Sequence, residues 1–240
     1  MSRENHPLRP ITAPLRWLRA AMVLPLALLV PGVAPLAAHP HEFVDATLDL
    51  IFAEDGRLTE IGVEWRYDAF TSMLILSDMG LNPAAEALTD EERALLEGFD
   101  LQWQPGYDGD LWPMQGEEPV PLGPPEGGAV ELVEGQLISR HSRALLNPVD
   151  PADAQAGPLV IRVYDPEYYV AYTIAAASSG TGDCRARIFV PDRAFAQAQL
   201  EAALDELFAG GVEDYESAFP AVGRDFAEEI RLDCGTDNTP

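Results

Sequence analysis

His39, Pro40, His41 and Glu42 stand in a row, with Asp45 three positions further on. These side chains carry the nitrogen and oxygen donors that divalent transition metals take. If the chain begins at His39, that residue offers both its α-amine and a ring nitrogen to one ion. A free α-amine has a pKa of about 8, so the ion must displace a proton, which a divalent metal does near neutral pH. His41 adds a second imidazole. A histidine at the third position also suggests the amino-terminal copper and nickel motif built on deprotonated backbone amides. Pro40 has no amide hydrogen, so that square of nitrogens cannot close. What remains is amine plus imidazoles, with Glu42 or Asp45 to complete the shell. The competing reading is a frayed terminus whose histidines do nothing. His141 is the one further histidine in 39–240. It lies between Arg140 and Arg143 on an expected strand, where local positive charge opposes a cation. A solvent-facing strand histidine is the expectation, and recruitment as an extra ligand the alternative.

Other chemistry is sparse. There is no Gly-x-Ser-x-Gly elbow, phosphate loop, His-Glu-x-x-His helix or dinucleotide fingerprint, so catalysis is not expected. Asp78-Met-Gly-Leu-Asn82 alternates possible calcium ligands, but Thr89 stands where a bidentate Glu is needed, and no calcium site is expected. Tyr164, Asp165, Tyr168 and Tyr169 gather aromatics around a Pro-containing turn. They suit either packing at a hairpin end or a small surface pocket.

These residues depend on export for their setting. Residues 1–19 carry four Arg against one Glu, and an apolar stretch from Ala20 runs on to Ala38. This is the order of a secretory signal peptide. Pro25, Pro31 and Pro35 interrupt it, which disfavours a permanent membrane helix. Cleavage after Ala38 is expected, with periplasmic localisation. Cleavage after Ala34 would leave Pro35 at the new terminus. The full chain has 240 residues, 40 acids, 15 Arg and no Lys, for a net charge of −25. Removing 1–38 leaves 39 acids and 11 Arg, or −28. Such a charge excludes binding to nucleic acid backbones and to anionic lipid, both of which need a basic face. Two cysteines, Cys184 and Cys234, make an even count in an oxidising compartment and read as one disulfide. A thiolate metal pair is the alternative, though it would lack the short spacing of a zinc site.

Val44, Ala46, Leu48, Leu50 and Phe52 alternate with polar residues, a half-buried strand, and Asp55-Gly56 turns the chain into a return strand ending near Tyr67. Thr89 with Glu92 forms a capping box for a helix toward Phe99. Residues 105–128 read as loop or short edge strands. Further hairpins are expected around Glu134-Gly135 and around Asp165-Pro166, and Arg185–Val190 as another strand. Asp192 caps a helix that Gly210-Gly211 stops, and a last short helix, about 221–229, leads toward Cys234. The fold class is therefore α+β: a β-rich antiparallel sheet or sandwich with a C-terminal helical segment. Residues 1–38 are the leader, and 39–240 form a single domain with a short disordered tail.

His39-Pro40-His41 after a leader, Trp65-x-x-Asp68, Tyr164-Asp165-Pro166-x-Tyr168-Tyr169-Val170 and Cys184-Arg-Ala-Arg187 together resemble one family. It is the bacterial domain-of-unknown-function family numbered one thousand and seven, and the resemblance covers about 39–234. Its members are labelled as the periplasmic component of an uncharacterised ABC-type transport system and often neighbour nickel/cobalt-type permeases. The resemblance therefore implies handling of a divalent transition metal (Zn, Ni, Co or Cu) and an inner-membrane metal permease as partner. A solute receptor has two α/β lobes, so a strand-rich chain of this length fits an accessory protein instead. The second reading is a metal-free interaction module docking on a permease through the Tyr164–Tyr172 segment and the 105–128 loop.

Overall fold

The computed structural model describes residues 40–104, 107, 109–179, 184–211 and 218–234. The expected leader, His39 and the C-terminal tail lie outside the described residues, as do positions 105, 106 and 108 of the expected loop. Period-two patterning becomes β1 (Glu42–Phe52), whose Val44, Ala46, Leu48 and Leu50 are buried. Gly56, at φ +82°, makes the turn into β2 (Leu58–Tyr67), which pairs antiparallel with β1 from Val44↔Tyr67 onward. The Asp55 carboxylate fixes that turn by accepting from the Arg57 N–H at 3.2 Å and from its guanidinium at 2.8 Å.

α1 (Ala69–Asp78) and α2 (Asp90–Leu96) follow. α2 carries the expected capping box between Thr89 and Glu92. α1 was not legible in the sequence: it is apolar on nearly every side, so its periodicity does not separate helix from strand. Asp68 starts it by accepting from the N–H groups of Phe70 and Thr71. The segment Asp78–Asn82 is the end of this helix and not an ion loop. The Leu81 N–H donates to Leu76 O at 2.8 Å, the bond of a Schellman stop, with Gly80 at φ +73°.

β3 (Leu111–Gln115) and β4 (Glu118–Pro119) occupy the Pro- and Gly-rich region. β5 (Leu122–Val133) and β6 (Gln136–Val149) form a hairpin across Glu134 and Gly135, both at positive φ. β7 (Leu159–Val163), β8 (Val170–Ser179), β9 (Arg185–Phe189), α3 (Arg193–Ala209), α4 (Gly223–Phe226) and β10 (Glu229–Asp233) complete the chain. One sheet runs β5-β6-β2-β1-β8 and the other β4-β3-β7-β10-β9. Their inward faces share one core: Leu48, Leu50 and Ile61 of the first lie in the same buried cluster as Leu159, Ile161, Val163 and Ile230 of the second. The expected α+β class with a C-terminal helix is borne out, with α3 capped by Asp192 as read. The disulfide joins Cys184 to Cys234, just beyond the paired strand ends Arg185↔Asp233.

The hairpin expected around Asp165-Pro166 does not form. β7 belongs to the second sheet, while β8 crosses to the first and pairs parallel with β1, the one parallel ladder among the described residues. The Asp165 carboxylate holds the crossover, accepting from the N–H groups of Glu167, Tyr169 and Val170 at 3.1, 2.7 and 3.1 Å. Tyr168 takes φ +56° there. Gly223 presses against the same turn. Its N–H donates to Pro166 O at 2.9 Å, and a Cβ placed on it would stand 1.8 Å from Asp165 O. Backbone on both sides cannot yield as a side chain can. Gly223→Ala is expected to destabilise the protein by about 3 kcal/mol, read as the shift in a urea midpoint. A change within about 0.5 kcal/mol would contradict this packing.

Candidate metal-binding terminus and an interior polar network

At the head of β1 the N–H groups of His41 and Glu42 both donate to Tyr169 O, at 2.8 and 3.3 Å. The His41 ring stacks on Tyr169 with centroids 4.7 Å apart. The Phe43 N–H donates to Asp68, the cap of α1. The Glu42 carboxyl is pushed above its ordinary range, first by burial, then by repulsion from Asp68 and Asp165, with His41 partly offsetting them. Asp68 and Asp165 are occupied as acceptors for backbone N–H groups, so Glu42 is the carboxylate least committed to the fold here.

Strand geometry decides which predicted ligands can meet. Glu42 shares parity with inward-facing Val44, whereas His41 and Asp45 are on the other face of β1. His41 and Asp45 are four positions apart, about 13 Å by strand rise, too far for one ion to touch both. His141 pairs with Val63, which pairs with Leu48, seven positions along β1 from His41 and about 23 Å by the same rise. Glu42 stands on the opposite face from His41 but, as its chain neighbour, lies close enough to feel its charge, whereas distance leaves Asp45 and His141 apart from both. Among the described residues, no group of three or more His, Cys, Asp or Glu is placed to hold a metal ion. His39 lies outside those residues.

The expectation of a solvent-facing His141 is overturned: its relative exposure is 7%. Ser139, His141 and Arg143 share the parity of buried Leu137 and Leu145 on β6, so all three point into the sandwich. Asp100, Trp103 and Gly109 lie against them. Asp100 accepts from the Tyr67 hydroxyl at 2.9 Å and from Ser139, while the Trp103 indole N–H donates to Asp100 O at 2.9 Å. The Arg143 guanidinium lies 4.8 Å from the centroid of Trp103 and donates to Gly123 O at 2.7 Å. Asp110 accepts from the Tyr172 hydroxyl at 2.6 Å. These partners come from distant segments, and no local motif announced them. The parity of β6 was the one available signal, and the flanking arginines masked it.

The aromatic turn residues also separate. Tyr164 stacks on Trp112 at 5.1 Å, Tyr168 on Phe226 at 4.0 Å, and Tyr169 on His41. Each anchors a different neighbour, so they do not line a common pocket. Asp165 serves as the cap of the crossover.

Two interior groups titrate far from their usual positions, in opposite senses. Burial raises the Asp110 carboxyl from 3.8 to about 6, against hydrogen bonds from Tyr107 and Tyr172. Burial also lowers the His141 imidazole from 6.5 to about 4, with Arg143 adding to the fall and Asp100 opposing it. A raised carboxyl means the native state binds the proton more tightly, so stability falls as pH rises from 3.8 toward 6. A lowered imidazole means the unfolded state does, so stability falls as pH drops from 6.5 toward 4. Relative to the parent protein, Asp110→Asn is expected to gain as pH rises through the first window. His141→Gln is expected to gain as pH falls through the second. Each difference spans roughly 3 kcal/mol. Urea unfolding over a pH series measures both, and difference curves flat in pH would refute the assignment.

None of the curated proteins compared matches the chain. The resemblance carried by the His39-Pro40-His41, Trp65-x-x-Asp68, Tyr164–Val170 and Cys184–Arg187 motifs is borne out at the level of the family. The match runs over residues 24–234 and so takes in both sheets and both cysteines. The chain belongs to the family described as Protein of unknown function (DUF1007).

Proposed function

We propose that this protein is exported to the periplasm and binds a divalent transition-metal ion at its mature amino terminus. There it supports metal transport or homeostasis beside an inner-membrane permease, as a binding accessory and not as an enzyme. The His39 amine and ring and the His41 ring are the primary ligands, and Glu42 completes the shell. Asp45 and His141 take no part, because of their distance along the strands from His41. A nitrogen-rich set of this kind suits Cu, Ni, Co or Zn.

The observation that carries this reading is the setting of His41 and Glu42. Two backbone bonds to Tyr169 O and a ring stack hold the residue that follows Pro40 in place, so the terminus is tied to the sheet at the point where the histidines begin. Tethering lowers the entropy an ion must overcome to gather its ligands. Glu42, Asp68 and Asp165 together make the surroundings negative, which favours a cation.

The test is the metal content of protein recovered from the periplasm, with its amino terminus sequenced on the same sample. A chain beginning at His39 and carrying one equivalent of a transition metal is the expected result. A chain that begins at His39 but holds no metal above that of a His41→Ala variant would overturn the reading.

A further inference from the structure

α1 is built inside out. Its buried side carries Thr71, Ser72 and Leu76, while Phe70, Met73 and Leu74 stand outward with relative exposures of 61, 38 and 45%. A surface helix ordinarily does the reverse. The inward hydroxyls are fully used. Thr71 donates to Asp68 at 2.6 Å, Ser72 donates to Tyr67 O, and the Leu137 N–H donates to Ser72 Oγ at 2.8 Å. Satisfied polar groups therefore fix the helix to the sandwich, and its apolar stripe at i, i+3 and i+4 is left to solvent. Met79 at its C-terminal end and Phe43, whose N–H bonds the α1 cap, extend the exposed apolar surface. An arrangement of this kind marks an interaction face.

The charges around the stripe select its occupant. α1 carries no charge before Asp78, and an acid stands at each end of it, Asp68 as its cap and Asp78 as its last residue. Arg66, the nearby cation on β2, faces Asp45 across the β1–β2 ladder. An anionic bilayer is repelled by such a rim. A second copy would bring an identical acidic rim and a net charge of −25 against it. We infer that the exposed face of α1 docks into an apolar groove, rimmed by Arg or Lys, on a different protein. This inference stands apart from the metal reading and would survive its failure.

The test places a photo-cross-linking residue at Leu74 in the full chain, expressed in its own host cells. Two purified-protein measurements accompany it: sedimentation velocity over a concentration series, and flotation with phosphatidylcholine vesicles with and without phosphatidylglycerol. The expected result is a light-dependent adduct with one other protein, whose captured peptide carries basic residues beside apolar ones. High salt should weaken the adduct, and Phe70→Glu should reduce its yield about tenfold or more. Circular dichroism of Phe70→Glu, changed only at an exposed position, checks that the fold is intact. Failure to form any such adduct overturns the proposal, as does capture of an acidic peptide. Dimerisation that Leu74→Glu abolishes would assign the face to a second copy instead. Vesicle binding lost in the same variant would assign it to lipid.

Discussion

A protein whose chain begins at His39 is expected to bind Zn(II) roughly a hundredfold more tightly than the same protein extended by one methionine. Extension converts the His39 amine to an amide, which Zn(II) does not take as a ligand at neutral pH. It leaves both imidazoles, Glu42 and the whole fold untouched, so the comparison tests the loss of the His39 amine. The two forms also differ in pH dependence. Binding to the free terminus displaces an amine proton with a pKa of about 8, so its affinity climbs with pH up to that value. The extended form lacks the His39 amine, so its affinity climbs less steeply with pH. His141→Gln, altered inside the sandwich, should bind like the parent. Calorimetry across pH decides the matter, and equal affinity for the two forms would remove the amino-terminal site.

Removing the disulfide has the largest expected effect on stability. The Cys184–Cys234 bond closes a loop with a sequence separation of 50. Restricting the unfolded chain to that extent is worth about 4 kcal/mol at 25 °C. The bond also acts where the fold has little else. β9 is an edge strand whose ladder partner among the described strands is β10, its Arg185, Ile188 and Phe189 are exposed, and its Arg187–Asp233 ion pair lies at the surface, where such pairs contribute little. Cys184→Ser with Cys234→Ser is therefore expected to lower the melting midpoint by roughly 8–16 °C. Hydrogen exchange should rise first in β9, while the buried strands β1 and β2 keep their protection. A loss below about 1 kcal/mol would mean that the reduced unfolded chain already holds these segments together, and would refute the loop-closure argument.

Local chemistry was legible in the sequence wherever one segment was enough to specify it. The alternation from Val44 to Leu50 determined β1 and its buried face. Asp55-Gly56 and Glu134-Gly135 marked two hairpins, because Gly56 and Gly135 take a positive φ that glycine adopts without a Cβ penalty. Thr89 with Glu92, and Asp192 before α3, determined helix starts through bonds reaching only three residues. The even cysteine count pointed to the disulfide, and the motifs to the family.

Tertiary structure decided whatever depended on partners remote in the chain. Asp165-Pro166 reads as a hairpin turn, yet β7 and β8 part there, because β8 finds an open parallel ladder on β1 and Gly223 arrives from far along the chain to lock the crossover. His141 reads as exposed between two arginines. It is buried because Asp100 and Trp103 descend on the inward face of β6 and Arg143 finds Trp103 as its platform. α1 carries apolar residues outward because its hydroxyls are satisfied inward by Asp68, Tyr67 and Leu137. The donors of the amino-terminal site follow directly from residue type. Which of them can meet follows from distance along the strands and from register, which keep Asp45 and His141 away from His41 and leave Glu42, its chain neighbour, within electrostatic reach.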